Sequence, residues 1–173
     1  MTSAFEESSV LGSLGESVVR EGLKSAFKTV KDVPKNMDLQ LEWADCVIVG
    51  CKSLGLPHIK CEVKTEKVHT GNLFWEWFSN KELGREGWGQ TTNADEIYYL
   101  FWDDAIGYRL PNVQQTKWRI DYDKSSFRFI EQKKAIQNND TWGYLVPISW
   151  FAKQDIIQFD FSDLKALIND CDN

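Results

Sequence analysis

The runs Asp45-Cys46-Val47-Ile48-Val49 and Cys61-Glu62-Val63-Lys64 decide how this chain folds. Gly50, Gly55 and Pro57 punctuate the stretch between them. β-Branched residues on both sides of a Gly- and Pro-bearing connection predict two strands joined as a hairpin, 43–49 and 59–65. Side chains alternate faces along a strand. Glu62 and Lys64 therefore share one face, and Cys61 and Val63 share the other. Asp45 shares a face with Val47, so a twisted pairing lets Asp45 approach Glu62.

Upstream, Val10, Leu11, Leu14, Val18, Leu23, Ala26, Phe27 and Val30 recur at spacings of three and four, which predicts a helix over 6–30. Gly12, Gly15 and Gly22 weaken that helix unless it packs closely on a sheet or a ligand approaches its backbone. Pro34 and Asn36 end the pattern. Downstream, Gly71-Asn72 signals a turn, and the aromatic run 73–78 reads as a third strand. Residues 84–89 read as loop, with Thr91, Thr92 and Asn93 able to cap a short helical turn after them. A fourth strand is expected over 97–102. The segment 111–121 is ambiguous, with Pro111 at a potential helix start. Short strands are expected over 127–130 and 144–148, and Ser162 suits the N-cap of a helix over 163–169. No repeat or linker interrupts the chain. The expectation is a single α/β domain over 1–173, with a mostly continuous central mixed sheet flanked by helices.

Composition narrows the function. The 173 residues carry 20 Lys and Arg against 26 Asp and Glu, a net charge of −6, which argues against a generic basic nucleic-acid coat. A local groove remains compatible with that charge. Eight Trp and 13% aromatic residues exclude wholesale disorder. Cys46, Cys51, Cys61 and Cys171 form no CxxC, and the His are only His58 and His69, so zinc is not expected and reduced thiols are. Residues 1–9 carry no basic segment leading into an apolar run, and no stretch approaches the roughly 20 apolar residues of a membrane span. The expected location is the cytoplasm, that of a host cell if the chain is phage-encoded.

A carboxylate pair plus a lysine on one face of the hairpin is what metal-assisted phosphodiester hydrolysis requires. Mg²⁺ takes one or two carboxylates together with waters and phosphate oxygens. It acidifies a bound water and offsets charge growing on the phosphate. A lysine can orient or deprotonate that water. With these residues in place, the chain resembles the PD-(D/E)XK nuclease superfamily, the restriction-endonuclease-like fold. Carrying the resemblance are Asp45 at a strand start, Glu62-Val63-Lys64 on the next strand and Glu16 in Gly15-Glu16-Ser17 on the upstream helix. Thr70-Gly71-Asn72, the acid-bearing strand of Glu76, and the sequence from Thr91 and Thr92 to Ala94-Asp95 resemble small phage-type members. The likeness spans about 12–102.

It implies a core of helix, three-stranded antiparallel meander, helix and strand. It implies Mg²⁺, with Mn²⁺ as a substitute, held by Asp45 and Glu62. Lys64 would be the catalytic lysine, and Glu16 would complete the metal shell through a water. The implied partner is DNA, cut by an endonuclease in preference to an exonuclease, in phage or bacterial DNA processing. Gln90, Thr91, Thr92, Trp88 and Lys67 are the expected DNA contacts, and a homodimer would suit a small enzyme cutting two strands. No membrane partner is expected. Ala44 stands where the family pattern has proline, and Asp38 and Glu76 compete for a place in the site.

Each residue also has a plainer reading. Glu62 and Lys64 extend a charged alternation with Lys60 and Glu66, Glu16 can pair with Arg20, and Glu76 can face outward from an amphipathic strand. Trp75, Trp77, Trp88, Trp102, Trp142 and Trp150 read first as core or rim, with Trp88 the best candidate to stack on an unpaired base, and His69 as surface. The rival function is a catalytically silent module on the same fold that binds a host or DNA-processing partner.

Overall fold

The computed structural model describes residues 4–26, 30–32, 46–51, 56–132, 140–153 and 155–171. In chain order the elements are α1 (Ala4–Ala26), β1 (Val30–Asp32), β2 (Cys46–Cys51), β3 (Leu56–Glu66), β4 (Asn72–Asn80), β5 (Arg85–Glu86), α2 (Trp88–Thr91), β6 (Glu96–Phe101), β7 (Ile106–Leu110), α3 (Val113–Asp123), β8 (Arg128–Glu131), β9 (Trp142–Pro147), β10 (Ile157–Asp160) and α4 (Ser162–Cys171).

The fold is α/β, but its strands form two sheets and not one continuous sheet. The larger runs β1-β2-β3-β6-β7-β10, and the smaller runs β5-β4-β9-β8. The β2–β3 hairpin forms as its sequence pattern requires, antiparallel, with Cys46 opposite Cys61. The aromatic run 73–78 lies in β4 and departs from the expected meander. It pairs antiparallel with β9, so a different strand, β6, lies beside β3. β3 and β6 are parallel, Cys61 opposite Glu96 and Glu66 opposite Phe101.

Alternation along β3 and β6 builds two cores. Cys61, Val63, Tyr98 and Leu100 face Val18, Val19 and Leu23 of α1. Ile97, Tyr99 and Phe101 face Leu73, Trp75 and Val146 of the second sheet, joined by Val113 and Ile120 of α3. Each fully buried side chain of this size contributes roughly 1.5–3 kcal/mol. Helices therefore cover one face of the larger sheet, and the smaller sheet covers the other. Among the described residues no helix is long and apolar enough to cross a membrane.

Gly15 lets α1 lie this close. A Cβ there would stand 1.9 Å from Thr65 Oγ1, which settles why a glycine occupies the helix interior. Gly12 faces open space, with nothing within 4 Å of its would-be Cβ. The two positions should respond oppositely in chemical denaturation. Gly15→Ala is expected to destabilise by about 1–3 kcal/mol through overpacking. Gly12→Ala is expected to stabilise by about 0.5–1 kcal/mol through helix propensity. Equal effects at both would contradict the packing of α1 on β3.

Candidate functional site

β3 changes partners along its length, and the site lies at the change. Its described pairing with β2 ends at Cys46 and Cys61, where its pairing with β6 begins. Glu62 is the next residue. Its face is the one turned toward the second sheet, because Cys61 and Val63 are committed to α1. Glu62 and Lys64 form an ion pair at 2.5 Å, with side chains only 13% and 26% exposed. Two opposite charges this sheltered satisfy one another, and leaving either alone would be costly. The other carboxylate oxygen of Glu62 accepts a hydrogen bond from Thr92 Oγ1 at 3.3 Å. Thr92 is itself buried and its Oγ1 accepts the Ala94 N–H at 3.2 Å, so the hydroxyl is held from both sides.

α2 roofs this cluster. Lys64 Nζ lies 5.3 Å from the centre of the Trp88 ring, within cation–π range. Trp88 packs on Trp75 with ring centres 4.8 Å apart, and its backbone N–H donates to Glu76 Oε1 at 3.3 Å. Glu76 is therefore half-buried and turned toward α2, against the outward face expected for it. Gly87 and Gly89 make the contact possible, since a Cβ on either would stand 2.6 Å from the Glu76 carbonyl oxygen. Residues 84–89 are accordingly not a simple loop: β5 and the start of α2 fall there. Thr91 and Thr92 lie at the C-terminal end of α2 and do not cap the start of a helix, because Thr92 N–H closes back on the Trp88 carbonyl at 2.9 Å.

The structure thus brings together Glu62, Lys64, Thr92, Trp88 and Glu76. Gln90 is half-buried and donates to the Trp77 carbonyl of β4, and Thr91 is exposed with its hydroxyl bonded to the Gly87 carbonyl. Lys67 is exposed and lies just past the end of β3, five residues from Glu62 and roughly 16 Å away at the usual strand rise. Glu16 belongs to α1, which packs against the opposite face of β3 from Glu62 and Lys64. Asp45 and Asp38 lie outside the described residues, although Asp45 directly precedes Cys46 at the start of β2. His69 is half-buried, with Nε2 3.2 Å from the Tyr108 hydroxyl and its ring edge-on to Phe101, and is not the surface residue expected.

Two polar pairs escape sequence reading altogether. Glu66, on the same face as Glu62 and Lys64, accepts a short hydrogen bond from the Tyr99 hydroxyl, which also accepts the Phe74 N–H at 2.9 Å. Burial raises the Glu66 carboxyl above its ordinary value, and the Tyr99 hydrogen bond partly offsets this. Tyr99 is raised well above its own ordinary range by burial and then by the neighbouring Glu66 charge. On the helix side, buried Glu96 takes two hydrogen bonds from Arg109 and one from the Tyr98 hydroxyl at 3.0 Å. That hydrogen bonding holds the guanidinium above even its usual high range. The alternating acids of β3 were visible in the sequence, but their partners lie some 30 residues away and no local pattern announces them.

Among the described residues no group of three or more His, Cys, Asp or Glu is placed to hold a metal ion. Of the two carboxylates in this cluster, Glu62 stands beside the lysine and Glu76 accepts the Trp88 N–H. That donor chemistry suits a hard, oxygen-seeking cation that keeps most of its waters, and suits no thiolate- or imidazole-seeking metal. No protein-family model, curated protein or solved structure matches the chain.

Glu66 gives a pH test. Its folded-state value is raised, so its stabilising contribution is complete below the ordinary 4.5 and is lost as pH rises through the folded value. Glu66→Gln keeps an acceptor for Tyr99 and removes the buried charge. The variant is expected to melt above the parent at pH 7.5, with the gap closing as pH falls toward 4.5 in thermal scans. A gap independent of pH would reject the buried, ionising Glu66.

Proposed function

We propose that the chain is a Mg²⁺-dependent DNA nuclease of the PD-(D/E)XK type. The observation that carries the reading is Glu62 and Lys64 side by side on a sheltered strand face, with Thr92 fixing the second carboxylate oxygen. A solvated charged alternation would leave both side chains in water. Here they sit between two sheets, where an acid and a lysine are costly unless used or paired. The arrangement of α1, antiparallel β1–β2–β3 and parallel β6 supports a restriction-endonuclease-like core in which β4, β5 and α2 form an insertion between β3 and β6.

Glu62 and Asp45 would hold the cation. When bound, Mg²⁺ supplies an acidified water and offsets phosphate charge. Lys64 would orient the attacking water and offset charge on the phosphate oxygens as the new P–O bond forms and the P–O bond to the departing sugar oxygen breaks, that oxygen taking up a proton from solvent water. Thr92 is a positioning residue, because its hydroxyl fixes the rotamer of Glu62. Trp88 excludes bulk water above Lys64, which strengthens each of these interactions.

The test is cleavage of supercoiled, linear and nicked DNA by the purified chain with Mg²⁺, with Mn²⁺ and with chelator. Cutting is expected with either metal and none with chelator. Glu62→Gln, Asp45→Asn and Lys64→Met are each expected to lower the rate by about 10²-fold or more. Cleavage undiminished in Glu62→Gln and Lys64→Met would overturn the assignment. Absence of both cleavage and calorimetric Mn²⁺ binding in the parent would favour the catalytically silent module.

A further inference from the structure

α3 carries a surface that the proposed chemistry does not use. Trp118 and Tyr122 stand one helical turn apart and are 67% and 77% exposed. Their rings stack on each other, with centres 5.8 Å apart and planes 21° from parallel. The other described tryptophans are buried or half-buried. A stacked pair of large rings left in water offers flat apolar faces to a flat partner.

Trp118 lines a cleft of about 400 Å³ together with Trp77, Gln90, Gln114, Lys117 and the carboxylates Glu86 and Asp121, and Tyr122 adjoins it through its stack on Trp118. Hydrogen bonds link the lining of this cleft to the Glu62 cluster through Thr92. Gln114 Nε2 and Lys117 Nζ reach the Thr92 carbonyl oxygen at 3.3 and 3.4 Å, while the Thr92 hydroxyl holds Glu62. One residue thus connects the candidate chemistry with the side chains that line the cleft.

We propose that this cleft and the Trp118–Tyr122 pair bind an unpaired base of single-stranded DNA beside the strand's scissile phosphate. The proposal rests on the nuclease reading and names its substrate class. Aromatic faces stack any base, and carboxamides with a nearby carboxylate bond base edges and exocyclic amino groups. Lys117 supplies one cation for the backbone. Glu86 and Asp121 oppose a dense array of phosphates, although Asp121 is already paired with Lys124 at 2.8 Å. That balance favours a base entering the cleft over a duplex backbone lying along it. Bases inside a duplex are stacked on each other and cannot lie on Trp118.

The probe is a fluorescein-labelled oligothymidylate of about 12 nucleotides, a length within the usual single-strand site sizes. Its binding to the full chain carrying Glu62→Gln is read by anisotropy in chelator, so that no cutting occurs. The strand is expected to bind more tightly than a duplex of equal length. Trp118→Ala and Tyr122→Ala are each expected to weaken it about tenfold, Trp118→Phe less than threefold, and Lys117→Gln to lower the salt slope by about one. No binding, equal binding of the duplex, tighter binding of oligouridylate, or indifference to both alanine variants would overturn the proposal. So would self-association of the parent that Trp118→Ala abolishes, since a second copy would then be the occupant. Duplex cleavage by the parent that Glu62→Gln abolishes would leave the nuclease reading standing in each of those cases.

Discussion

Everything in this molecule depends on the two-sided burial of β3. The strand's alternation assigns Cys61, Val63 and Thr65 to the helix layer and Glu62, Lys64 and Glu66 to the layer between the sheets. Most central strands buried on both faces are apolar throughout. This one places three charged side chains on a covered face, and each has a counterpart at hand: Glu62 with Lys64 and Thr92, Glu66 with Tyr99. Such an arrangement gains little stability, because the desolvation of the charges consumes most of their attraction. Its persistence in the middle of the fold is the physical ground for locating function there.

Local pattern made part of this legible. The β2–β3 hairpin, α1, β6 and α4 follow from strings of residues whose period matches the element they form. The shared face of Glu62 and Lys64 follows from the same period. What local pattern cannot specify is which strand pairs with which. The run 73–78 reads as a strand, and it is one, but nothing within it distinguishes β3 from β9 as partner. Glycines serve packing where local sequence shows only the lack of a side chain. Gly107 of β7 sits opposite Phe159 of β10, whose ring lies 2.3 Å from where a Cβ would be. Gly87 and Gly89 resemble loop punctuation, and their absent side chains instead admit the backbone of β4.

The aromatic excess resolves into two populations. Trp75 is buried and Trp77, Trp88, Trp102, Trp142 and Trp150 are half-buried, several beside lysines or other rings, as core and rim residues should be. Trp118 alone among the described tryptophans is given to solvent, on a helix whose sequence left its own existence ambiguous. An amphipathic stripe would have concealed that ring, and α3 instead directs Val113, Thr116 and Ile120 inward and Trp118 and Tyr122 outward.

The parallel ladder between β3 and β6 has a kinetic corollary. Its strands are joined by a segment that must itself complete an antiparallel pairing with β9, whose Pro147 lies opposite Asn72. β7 in turn awaits β10, with Arg109 opposite Ile157. Closing such long loops costs chain entropy before the contacts they permit can offset it. During synthesis the half-made larger sheet would therefore wait, edges unpaired, until the strands near residues 142–160 emerge. A topology of this kind folds late and as a whole, so its early intermediates are the species most exposed to aggregation.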